Sequence, residues 1–538
     1  RAHWPRLAAE NRPLIDPLCG SATLLLEAAS MAAAIAPGRL RTYFGFLKWK
    51  QHRPDSWKRL LQEAESCVDT DRIPSITGIE KSYKVSLIAR ENIAAAGLEG
   101  IIEVRQADSL SVLRNPDGPT GLIVTNPPYG NRIGESRELK QLYLKLGRDI
   151  KNGFPGWNVA LFTASHELAK FFGLRAHHKN TLYNGPLKCT LYQYRIREAE
   201  GPAPQSDSPQ PETVNAETVQ MFANRLAKNH KHLSRWARRE NVSCYRVYDA
   251  DIPQYALAID IYEDWVHIQE YEPPGSVDRV KAFVRLNEAV DTISRVLQVD
   301  NRKIVLKTRK RQSGSAQYTR MDEVGETLVG FEYGLKFKLN LKDYLDTGLF
   351  PDHRLTRKLI SRLAAGKSFL NLFAYTGTAT VYAAAGGART TTTVDLSNTY
   401  LAWARENMEL NGLTGKQHEF IRDDCIKWLD GAKKKDRRYQ LVFMDPPTFS
   451  NSKRMDHTLD IKRDHVELIR RAMSLLDENG LMIFSCNAQG FRLNEALLDD
   501  FAVRDITRMT TSEDYRRKPA HGCWCLARSS SGLTDCRL

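Results

Sequence analysis

Two stretches of the sequence repeat one order of segments, in which short runs typical of strands alternate with longer runs typical of helices. In the first stretch the short runs are PLID at 13–16, SITGIE at 75–80, IIEV at 101–104 and GLIVT at 121–125. In the second stretch they are KSFLNL at 367–372, TTTTVD at 390–395, HEFIRD at 418–423 and YQLVFM at 439–444. Strands that alternate with helices are typical of a parallel sheet covered by helices. The sequence therefore predicts an α/β architecture that occurs twice, with little identity between the copies.

The length and the charge of the chain restrict its class. At 538 residues it exceeds the roughly 250–300 residues at which one hydrophobic core stops growing, so we expect several domains. Lys and Arg number 78 against 64 for Asp and Glu, and the net charge of +14 favours a polyanionic partner. No apolar run approaches the ~20 residues of a membrane span, and the first residues contain no secretory signal. We therefore expect a cytoplasmic protein without a membrane partner.

A change in composition divides the chain. Residues 198–217, EAEGPAPQSDSPQPETVNAE, are rich in Pro, Ser and Gln and nearly free of large apolar side chains, so they predict a flexible linker. The boundaries that we expect are a first α/β domain at 1–197, an accessory domain at 218–345 and a second α/β domain at 346–538.

Residues suited to a nucleotide-like ligand follow the first three predicted strands of each stretch. They are Gly20, Glu80 and Asp108 in the first stretch and Gly377, Asp395 and Asp424 in the second. In an open parallel sheet the ligand lies beyond the carboxyl ends of the strands. A glycine there lets the backbone approach the ligand, the acid after strand two can accept from ribose hydroxyls, and the acid after strand three can meet the amino group of a base. Neither stretch contains the full Gly-x-Gly-x-x-Gly pattern of nucleotide-binding dehydrogenases.

A pair of prolines follows the fourth strand of each stretch, in TNPPYG at 125–130 and MDPPTF at 444–449. Proline lacks an N–H and holds the preceding residue extended, so Asn126 keeps its amide oxygen and nearby carbonyls free as acceptors. Acceptors that hold the hydrogens of an aromatic amino group would localise its nitrogen lone pair, and Tyr129 could stack on the base. An electrophilic methyl group in line with that lone pair would complete a reaction that depends largely on positioning. A tight turn alone would account for two of the four residues.

These motifs carry a family resemblance. DPLCGSAT at 16–23 and TNPPYG resemble S-adenosylmethionine (SAM)-dependent amino-group methyltransferases, and the order of both halves resembles the bifunctional bacterial methyltransferases of large-subunit rRNA guanines. The further matching motifs are NGPLKCTLYQYRI at 184–196, DTGLFPDHR at 346–354, NLFAYTGTATVYAAAGGA at 371–388 and DPPTFSNSKRM at 445–455. The resemblance covers essentially the whole chain.

The resemblance implies two Rossmann-like SAM-dependent methyltransferase domains plus a small α+β accessory domain. The first half would make N2-methylguanine in 23S rRNA, or in a large-subunit assembly precursor, and the second half N7-methylguanine, with SAM at two sites and no metal. The cofactor-binding residues that we infer are Asp16, Cys19, Gly20, Glu80, Asp108, Asn371, Tyr375, Gly377, Asp395 and Asp424. The catalytic residues that we infer are Asn126, Pro127, Pro128, Tyr129, Asp445, Pro446, Pro447 and Phe449.

Three features depart from the family. Family members carry an upstream RNA-binding module called THUMP, which this sequence lacks, so we expect the chain to be part of a longer protein. Ala22 stands where the family usually has a second glycine, which would tighten the first cofactor loop. Cys486 stands at a strand end where the family more often has a polar residue.

Chemistry suggests why the second proline pair opens with Asp445. Atom N7 of guanine carries an in-plane lone pair and no proton, so no amide is needed there to hold an amino group. A carboxylate could hold the donor edge of the base, and its charge would help to stabilise the cation that forms at N7. Phe449 is a candidate stacking residue. The alternative is that local backbone N–H groups satisfy the carboxylate of Asp445.

The segment after the linker predicts an accessory module with the order strand, strand, helix, strand, strand. SCYRVYDADI and YALAIDIYEDWVHIQEY alternate as strands do, VDRVKAFVRLNEAVDTISRVLQ is amphipathic, and KIVLKTRK and LVGFEYGLKFKLNL add strands. Arginines with an aromatic residue can contact phosphates and unstacked bases, as in the basic run at 228–239. The RNA-binding residues that we infer are Lys231, Arg235, Trp236, Arg238, Arg239, Lys307, Arg309, Lys310 and Arg311. The run KKKDRR at 433–438 is interpreted as a solvated loop.

The cysteines give little functional signal. All nine are scattered without the spacing of a metal site or a redox pair, so we expect reduced thiols. Cys523 and Cys525 alternate as they would on a half-buried strand.

Three other functions are compatible with parts of the sequence. A DNA adenine methylase shares the Asn-Pro-Pro-Tyr motif, but no separate target-recognition region is present and the second half would be unexplained. The second half could be a cytosine C5 methyltransferase with Cys486 as nucleophile, although a small buried hydrophobe is the simpler interpretation. The chain could also be a ribosome-assembly RNA-binding protein with inactive folds, which would fail to bind SAM.

Overall fold

The computed structural model describes residues 1–39, 41–108, 118–129, 136–197, 216–271, 277–309, 325–344, 346–450, 458–534 and 536. The chain forms two compact units, Arg1–Glu212 and Thr213–Leu538. Of the linker expected at 198–217, residues 198–215 lie outside the described residues, and the last two begin a helix. None of the helices in these described ranges combines the length and the apolar character that a membrane crossing requires.

The first unit contains one seven-stranded sheet. Its strands are β1 (Leu14–Asp16), β2 (Ile76–Glu80), β3 (Ile102–Gln106), β4 (Leu122–Thr125), β5 (Asn158–Thr163), β6 (His178–Asn184) and β7 (Leu187–Arg195). They lie in the order β3-β2-β1-β4-β5-β7-β6, in which the first five are parallel and β7 is antiparallel to both of its neighbours. The helices are α1 (Trp4–Ala9), α2 (Thr23–Ala32), α3 (Pro54–Ser66), α4 (Tyr83–Ala95), α5 (Ser136–Gly153) and α6 (His166–Phe171).

The second unit begins with a small α+β part. Its elements are α7 (Ala216–Glu240), β8 (Cys244–Asp249), β9 (Leu257–Tyr262), β10 (Trp265–Tyr271), α8 (Arg279–Leu297), β11 (Ile304–Arg309), β12 (Leu328–Glu332) and β13 (Leu335–Leu339). The sheet order is β11-β10-β9-β8, and β12 with β13 forms a separate hairpin. The predicted order of two strands, a helix and two strands is therefore wrong. Three strands precede α8, because a turn at Glu263 and Asp264 divides residues 257–271 into the antiparallel pair β9 and β10.

The remainder of the second unit contains another seven-stranded sheet. Its strands are β14 (Ser368–Leu372), β15 (Thr390–Asp395), β16 (His418–Arg422), β17 (Tyr439–Met444), β20 (Leu476–Cys486), β21 (Ala502–Asp505) and β22 (Gly522–Ala527), with a two-stranded addition of β18 (Phe449–Ser450) and β19 (Leu459–Asp460). The helices are α9 (Arg354–Leu363), α10 (Thr378–Ala385), α11 (Asn398–Leu410), α12 (Cys425–Lys434), α13 (Ile461–Ser474) and α14 (Thr507–Thr510). Helices cover both faces, because Leu370 and Leu372 of β14 join one buried cluster and Phe369 joins another.

The two large sheets share one topology. The second has the order β16-β15-β14-β17-β20-β22-β21, which matches the first strand for strand. This agreement confirms the predicted duplication of an α/β architecture. In both sheets the order reverses beside the first strand, between β1 and β4 and between β14 and β17. Such a reversal opens a crevice at the carboxyl ends of the strands, where a ligand can lie.

A buried ion cluster joins the hairpin of β12 and β13 to α9. The carboxylate of Glu332 accepts hydrogen bonds of 2.7, 2.8 and 2.9 Å from the guanidinium of Arg357. The hydroxyl of Tyr382 donates to the same carboxylate at 2.9 Å. Arg354, the first residue of α9, donates to Asp514 at 2.6 Å. These charged side chains are at most 2% exposed, so each depends on its partners to compensate for the loss of hydration.

The cysteines correct one prediction and qualify another. The expectation of reduced thiols is wrong for Cys525 and Cys536, which form a disulfide because β22 and the turn after it bring them into one buried cluster. Cys523 and Cys525 do alternate on a strand, as predicted. The strand is buried on both faces rather than one, since Trp524 between them is buried as well.

Candidate active sites at the carboxyl edges of the two sheets

The loop after the first strand has the same backbone arrangement in both units. In the first unit the N–H of Cys19 donates to the carbonyl oxygen of Ile79 at 3.0 Å. In the second unit the N–H of Ala374 donates to the carbonyl oxygen of Val394 at 3.2 Å. Each loop is thereby fixed to the end of the second strand, directly before the helix that follows it.

Two positions with positive φ are equivalent between the two loops, and the second loop has a third at Phe373 (54°). Gly20 (53°) and Tyr375 (52°) occupy the first position, and Ala22 (70°) and Gly377 (68°) occupy the second. The second position is also the N-cap of α2 in one unit and of α10 in the other. Only glycine adopts this conformation at no steric cost. Each unit therefore has a glycine at one position and a strained side chain at the other.

The two glycines consequently have different surroundings. A Cβ atom built on Gly20 would have no described atom within 4 Å, so a ligand can approach the backbone there. A Cβ atom on Gly377 would lie 2.6 Å from the Cβ atom of Ala404 on α11. The prediction from the sequence was that Gly20 and Gly377 are equivalent. Instead, Gly377 permits close packing of two helices, and the residue equivalent to Gly20 is Tyr375.

The acid after the second strand also has the same role in both units. Glu80 Oε1 accepts from the N–H of Ser82 at 2.8 Å, and Asp395 Oδ1 accepts from the N–H of Ser397 at 2.8 Å. Asp395 Oδ2 accepts in addition from the N–H of Tyr375 at 2.9 Å, so it links the second strand to the loop. Burial raises the pKa of Asp395 to about 6. A carboxylate has about four acceptor sites, so both acids can also accept from ribose hydroxyls.

A buried polar residue stands three positions before the residue that fixes each loop, which is Cys19 in the first unit and Ala374 in the second. Asp16 accepts from the N–H of Leu18 at 3.0 Å, and its burial raises the pKa of the carboxyl to about 7. Its counterpart Asn371 donates to Thr380 Oγ1 at 3.0 Å, while its own Oδ1 has no partner among the described residues. Burial raises the pKa of the Cys19 thiol to about 12, so this side chain is a neutral wall of the site.

The acids after the third strand differ from each other. Asp108 is exposed and lies 3.1 Å from Lys81 Nζ, and this contact lowers its pKa. Asp424 is buried at the N-terminus of α12, where Oδ1 accepts from the N–H groups of Ile426 (2.8 Å) and Lys427 (3.1 Å). Asp424 thus caps a helix, which is the structural role of an aspartate at this position. Asp108 has the accessibility that a contact with a base would need.

The first proline pair follows β4 at the carboxyl edge. Asn126 and Pro128 are exposed, Pro127 is buried and Tyr129 is half-buried. The hydroxyl of Tyr129 accepts from the side-chain amide of Asn184 at 3.2 Å, which fixes one end of the ring. The amide of Asn126 and the ring of Tyr129 are therefore both presented where a base could enter.

The second proline pair follows β17 in the same way. Pro446 is buried, Pro447 is half-buried and Phe449 is exposed. Asp445 is partly buried, and its Oδ2 lies 3.4 Å from Nε2 of His353. The carboxylate at this edge therefore has a side-chain partner from a distant part of the chain, in contrast to the exposed amide of Asn126.

A pair of stacked histidines supports this contact, and this pair was not predicted from the sequence. The rings of His353 and His521 are 4.1 Å apart with an interplanar angle of 11°. His521 Nδ1 lies 3.1 Å from Oδ2 of Asp352. Burial and the neighbouring His521 lower the pKa of His353, which Asp445 only partly opposes, so His353 is neutral at pH 7. The DTGLFPDHR motif contains Asp352 and His353, but no signal in the sequence indicates their contact with His521.

The same three side chains are a possible metal site, but their geometry is unfavourable. The donor atoms of Asp352, His353 and His521 lie within 4.8 Å of one another, and this is the one such group in the described part of the chain. Imidazole binds a metal through a lone pair in the plane of the ring. Because the two rings are stacked face to face, their lone pairs lie in separate parallel planes and do not converge on one ion.

Cys486 lies at the end of β20 in the same region. It is 2% exposed, and burial raises the pKa of its thiol to about 11. A nucleophilic cysteine needs the opposite environment, one that lowers its pKa and leaves it accessible. The environment of Cys486 therefore disfavours a role in cytosine C5 chemistry.

The structure changes the set of RNA-binding candidates in the small α+β part. The candidates that stay exposed on α7 are Lys231, Arg235, Arg238 and Arg239. Trp236 is buried under the guanidinium of Arg354, so its predicted stacking on a base is wrong. Lys307 is also buried and donates to the carbonyl oxygen of Tyr344, so it does not face a phosphate. The side chain of Arg309, and the whole of Lys310 and Arg311, lie outside the described residues.

Two family models match the chain, one in each unit. Residues 7–193 match a family described as RMKL-like, methyltransferase domain. Residues 253–520 match a family described as S-adenosylmethionine-dependent methyltransferase. The second match begins inside the small α+β part and continues through the second large sheet.

Curated relatives resemble the chain over nearly its whole length. The ribosomal RNA large subunit methyltransferase K/L of Methylococcus capsulatus is 48% identical, over 97% of this chain and 74% of the relative. The protein of the same name from Allochromatium vinosum is 47% identical, over 99% of this chain and 73% of the relative. Among solved structures, the SAM-dependent methyltransferase of Agrobacterium tumefaciens has a TM-score of 0.38 and is 18% identical over 51% of this chain and 88% of its own.

Proposed function

The chain belongs to the family of ribosomal RNA large subunit methyltransferases K/L, and we propose that it uses SAM at two sites to methylate two guanines of 23S rRNA. The first unit modifies N2 and the second modifies N7. One observation carries this proposal: the same cofactor loop occurs at two sheet edges, each beside a proline pair that opens with a different residue. A shared loop suits a shared methyl donor, and a different opening residue suits a different acceptor atom.

In the first unit the acceptor is the exocyclic amino group. Its lone pair is delocalised into the ring, so it must be localised before it can attack. The amide oxygen of Asn126 and the carbonyl oxygens beside it accept the amino hydrogens, while Tyr129 stacks on the base. With SAM bound, these residues would hold the amino nitrogen for attack on the electrophilic methyl group, the thioether would leave, and one amino proton would pass to water. The catalytic contribution is positioning, since no side chain bonds covalently to the base.

In the second unit the acceptor is N7, which has no proton to lose. Methyl transfer leaves a positive charge on the base, and the carboxylate of Asp445 stabilises that charge. His353 is a positioning residue, because it contacts Asp445 at 3.4 Å from a buried, stacked ring. A neutral imidazole holds the carboxylate without cancelling its charge. Phe449 is exposed beside the prolines and stacks on the base.

SAM supplies the methyl group as an electrophile at each edge. Glu80 and Asp395 hold its ribose hydroxyls, and Asp108 contacts its base. The backbone at Gly20 and Tyr375 lines the loops that receive it, with Asp16, Cys19 and Asn371 as neighbouring walls.

The rest of the chain delivers the RNA. We assign residues 1–197 and 346–538 to the two catalytic domains, 198–217 to a linker whose last two residues begin α7, and 218–345 to an accessory domain that contacts RNA through the exposed basic face of α7. The substrate is 23S rRNA or a large-subunit assembly precursor, and the reaction takes place in the cytoplasm.

The test uses undermethylated 23S rRNA, the full chain and labelled SAM, followed by digestion and identification of the nucleosides by mass spectrometry. Asn126→Ala should abolish N2-methylguanine and leave N7-methylguanine, and Asp445→Ala should do the reverse. Each unit is therefore the folding control for the other. The appearance of 5-methylcytosine, or the loss of both products in one variant, would overturn the assignment of the two sites.

A further inference from the structure

The segment between α2 and β2 carries a concentration of positive charge that the two catalytic sites do not use. Residues 41–59, RTYFGFLKWKQHRPDSWKR, contain six basic residues and one acidic residue, and we call them the basic segment. None of the six basic side chains forms an ion pair with a described residue, although Lys48 lies 5.6 Å above the ring of Tyr43. This charge is therefore available to a partner that carries the opposite sign.

The basic segment has a small aromatic core of its own. Trp57 of α3 packs edge-on against Phe44 at 5.2 Å and against Phe46 at 4.9 Å. Within the described structure α3 has no buried residue, so these partly buried rings hold it in place. The segment is thus a defined surface rather than an extension of the core of the sheet.

Two further aromatic side chains of the basic segment face solvent. Trp49 is 71% exposed and Tyr43 is 54% exposed. Trp49 stands between Lys48 and Lys50 in the sequence, and both lysines are exposed. A large exposed ring between two cations combines a stacking surface with phosphate-binding charge.

We propose that the basic segment binds unpaired RNA, with Trp49 stacked on a base and Lys48 and Lys50 on the adjacent phosphates. This inference rests on the proposed function and names a second contact with the same substrate. Unpaired nucleotides fit better than a duplex, because an aromatic ring can reach a base only where it is unstacked. A protein partner fits less well, because the centres of protein interfaces are depleted in lysine.

The position of the basic segment determines what it holds. Helix α2 starts at the carboxyl edge and leads back to the amino edge, where β2 begins beside β1. The N–H of Asp69 donates to the carbonyl oxygen of Ala33 at 3.0 Å. This bond holds the two ends of the segment between α2 and β2 together at that edge. Asn126 lies at the opposite end of the strands. The base stacked on Trp49 is therefore an anchoring nucleotide and not the guanine that is methylated.

The test measures binding of the full chain to a fluorescein-labelled 20-nucleotide RNA by fluorescence anisotropy, in single-stranded and in duplex form, over a series of KCl concentrations. Trp49→Ala should weaken single-strand binding by about 5- to 150-fold and leave duplex binding unchanged. Trp49→Phe should retain most of the affinity, because it keeps a ring. Since Trp49 is 71% exposed, its replacement does not disturb the fold.

The charge contribution has a matched control. Lys48→Gln with Lys50→Gln should reduce the slope of log affinity against log salt by about 1.4, since each phosphate contact on a single strand contributes about 0.7. Lys433→Gln with Lys434→Gln makes the same change at an exposed site with no aromatic neighbour in the run, and it should leave the slope unchanged. An unchanged affinity of Trp49→Ala for the single strand would overturn the proposal, as would equal slopes for the two double variants.

The outcome is separable from that of the proposed function. If the basic segment does not bind RNA, the wild-type chain still yields both methylated guanines and Trp49→Ala matches it at every RNA concentration. If the proposed function is wrong, the wild-type chain yields no methylguanine whatever its affinity for RNA. With both correct, Trp49→Ala raises the KM for RNA and leaves kcat unchanged.

Discussion

Nε2 of the buried residue His353 lies 3.4 Å from Oδ2 of Asp445, the residue that opens the second proline pair. The stacked ring of His521 keeps this imidazole from turning away. Because burial lowers the pKa of His353, the contact joins a neutral ring to a carboxylate. The second site thus has a fixed negative charge where the first site has the exposed amide of Asn126.

Replacement of this histidine should affect one product only. We expect His353→Ala to lower N7-methylguanine formation by about 10–100-fold, since a displacement of about 1 Å of a positioned catalytic group can cost about 100-fold. His353→Gln retains an N–H group and should recover part of the rate. The measurement is nucleoside mass spectrometry, with N2-methylguanine from the same reaction as the internal standard. A parallel fall of both products would indicate misfolding instead of the loss of this contact.

Protonation of Asp395 should control SAM binding at the second site. The ionised carboxylate accepts from ribose hydroxyls more strongly than the neutral acid does, and burial raises the pKa of Asp395 to about 6, so SAM affinity should fall as the pH drops below 6. Above pH 6 the affinity should be constant. Calorimetric titration of SAM between pH 5 and 8 measures this, with Glu80→Ala added to silence the first site. Asp395→Asn should bind weakly and lose the pH dependence; a slope that persists in this variant would assign the titration to another group.

The two N-cap positions should respond differently to a methyl group. Gly377→Ala brings a Cβ atom to 2.6 Å from Ala404 at a φ of 68°, and the strain alone costs about 1–2 kcal/mol. The matched change Ala22→Gly relieves similar strain. It also removes a buried methyl group, which contributes about 0.8 kcal/mol, and it increases the conformational entropy of the unfolded chain. We therefore expect Gly377→Ala to destabilise the second unit and Ala22→Gly to be nearly neutral. Urea unfolding, monitored by hydrogen exchange of peptides from each unit, distinguishes the two results.

The buried cluster around Glu332 should be a strong determinant of stability. Glu332→Ala leaves Arg357 buried without its carboxylate, a change that typically costs about 3–5 kcal/mol. Glu467→Ala removes an acid from the exposed i,i+4 pair with Arg471 on α13 and should cost at most about 0.5 kcal/mol. Urea unfolding gives both values. Equal and small effects would mean that water reaches Glu332.

Cys486 should be dispensable. Its thiol has a pKa of about 11 because it is buried, so almost none of it is a thiolate at pH 7. We expect Cys486→Ala to keep N7-methylguanine formation within about twofold of the wild type, since the change is small and no reacting group is lost. The product assay described above measures this. A loss of all activity at the second site, with the fold intact, would restore the cysteine as a candidate nucleophile.

The two large sheets were predictable because most of their parallel strands are short runs rich in apolar or β-branched residues and end in a turn. The accessory strands were less predictable. The turn that separates β9 from β10 contains no Gly, Pro or Asn that would indicate it in the sequence, and Glu263 adopts the positive φ of 58° there. Trp236 was recoverable from the sequence. Together with Phe222, Leu226 and Leu233 it falls on one face of a helix, and all four are buried. The basic residues around it drew the interpretation towards RNA.

The histidine pair could not be predicted by any local pattern. His353 and His521 meet because β22 lies near the start of α9, and no periodicity in either segment indicates this contact. The different position of the glycine in the two loops was likewise not predicted from the sequence. Gly20 and Gly377 look equivalent as letters, but the backbone dihedrals pair Gly20 with Tyr375 and Gly377 with Ala22.

The shared topology also has a consequence for synthesis on the ribosome. In each large sheet the strand made last is inserted between two earlier ones, β7 between β5 and β6 and β22 between β20 and β21. Neither sheet can close until that strand has left the exit tunnel. The first closes once Arg195 has emerged, while the second waits for Ala527, a delay of roughly 15–70 s at bacterial elongation rates of about 5–20 residues per second. The first unit therefore has time to reach its native state before the second sheet, which has the same strand order and could compete for its strands, is complete.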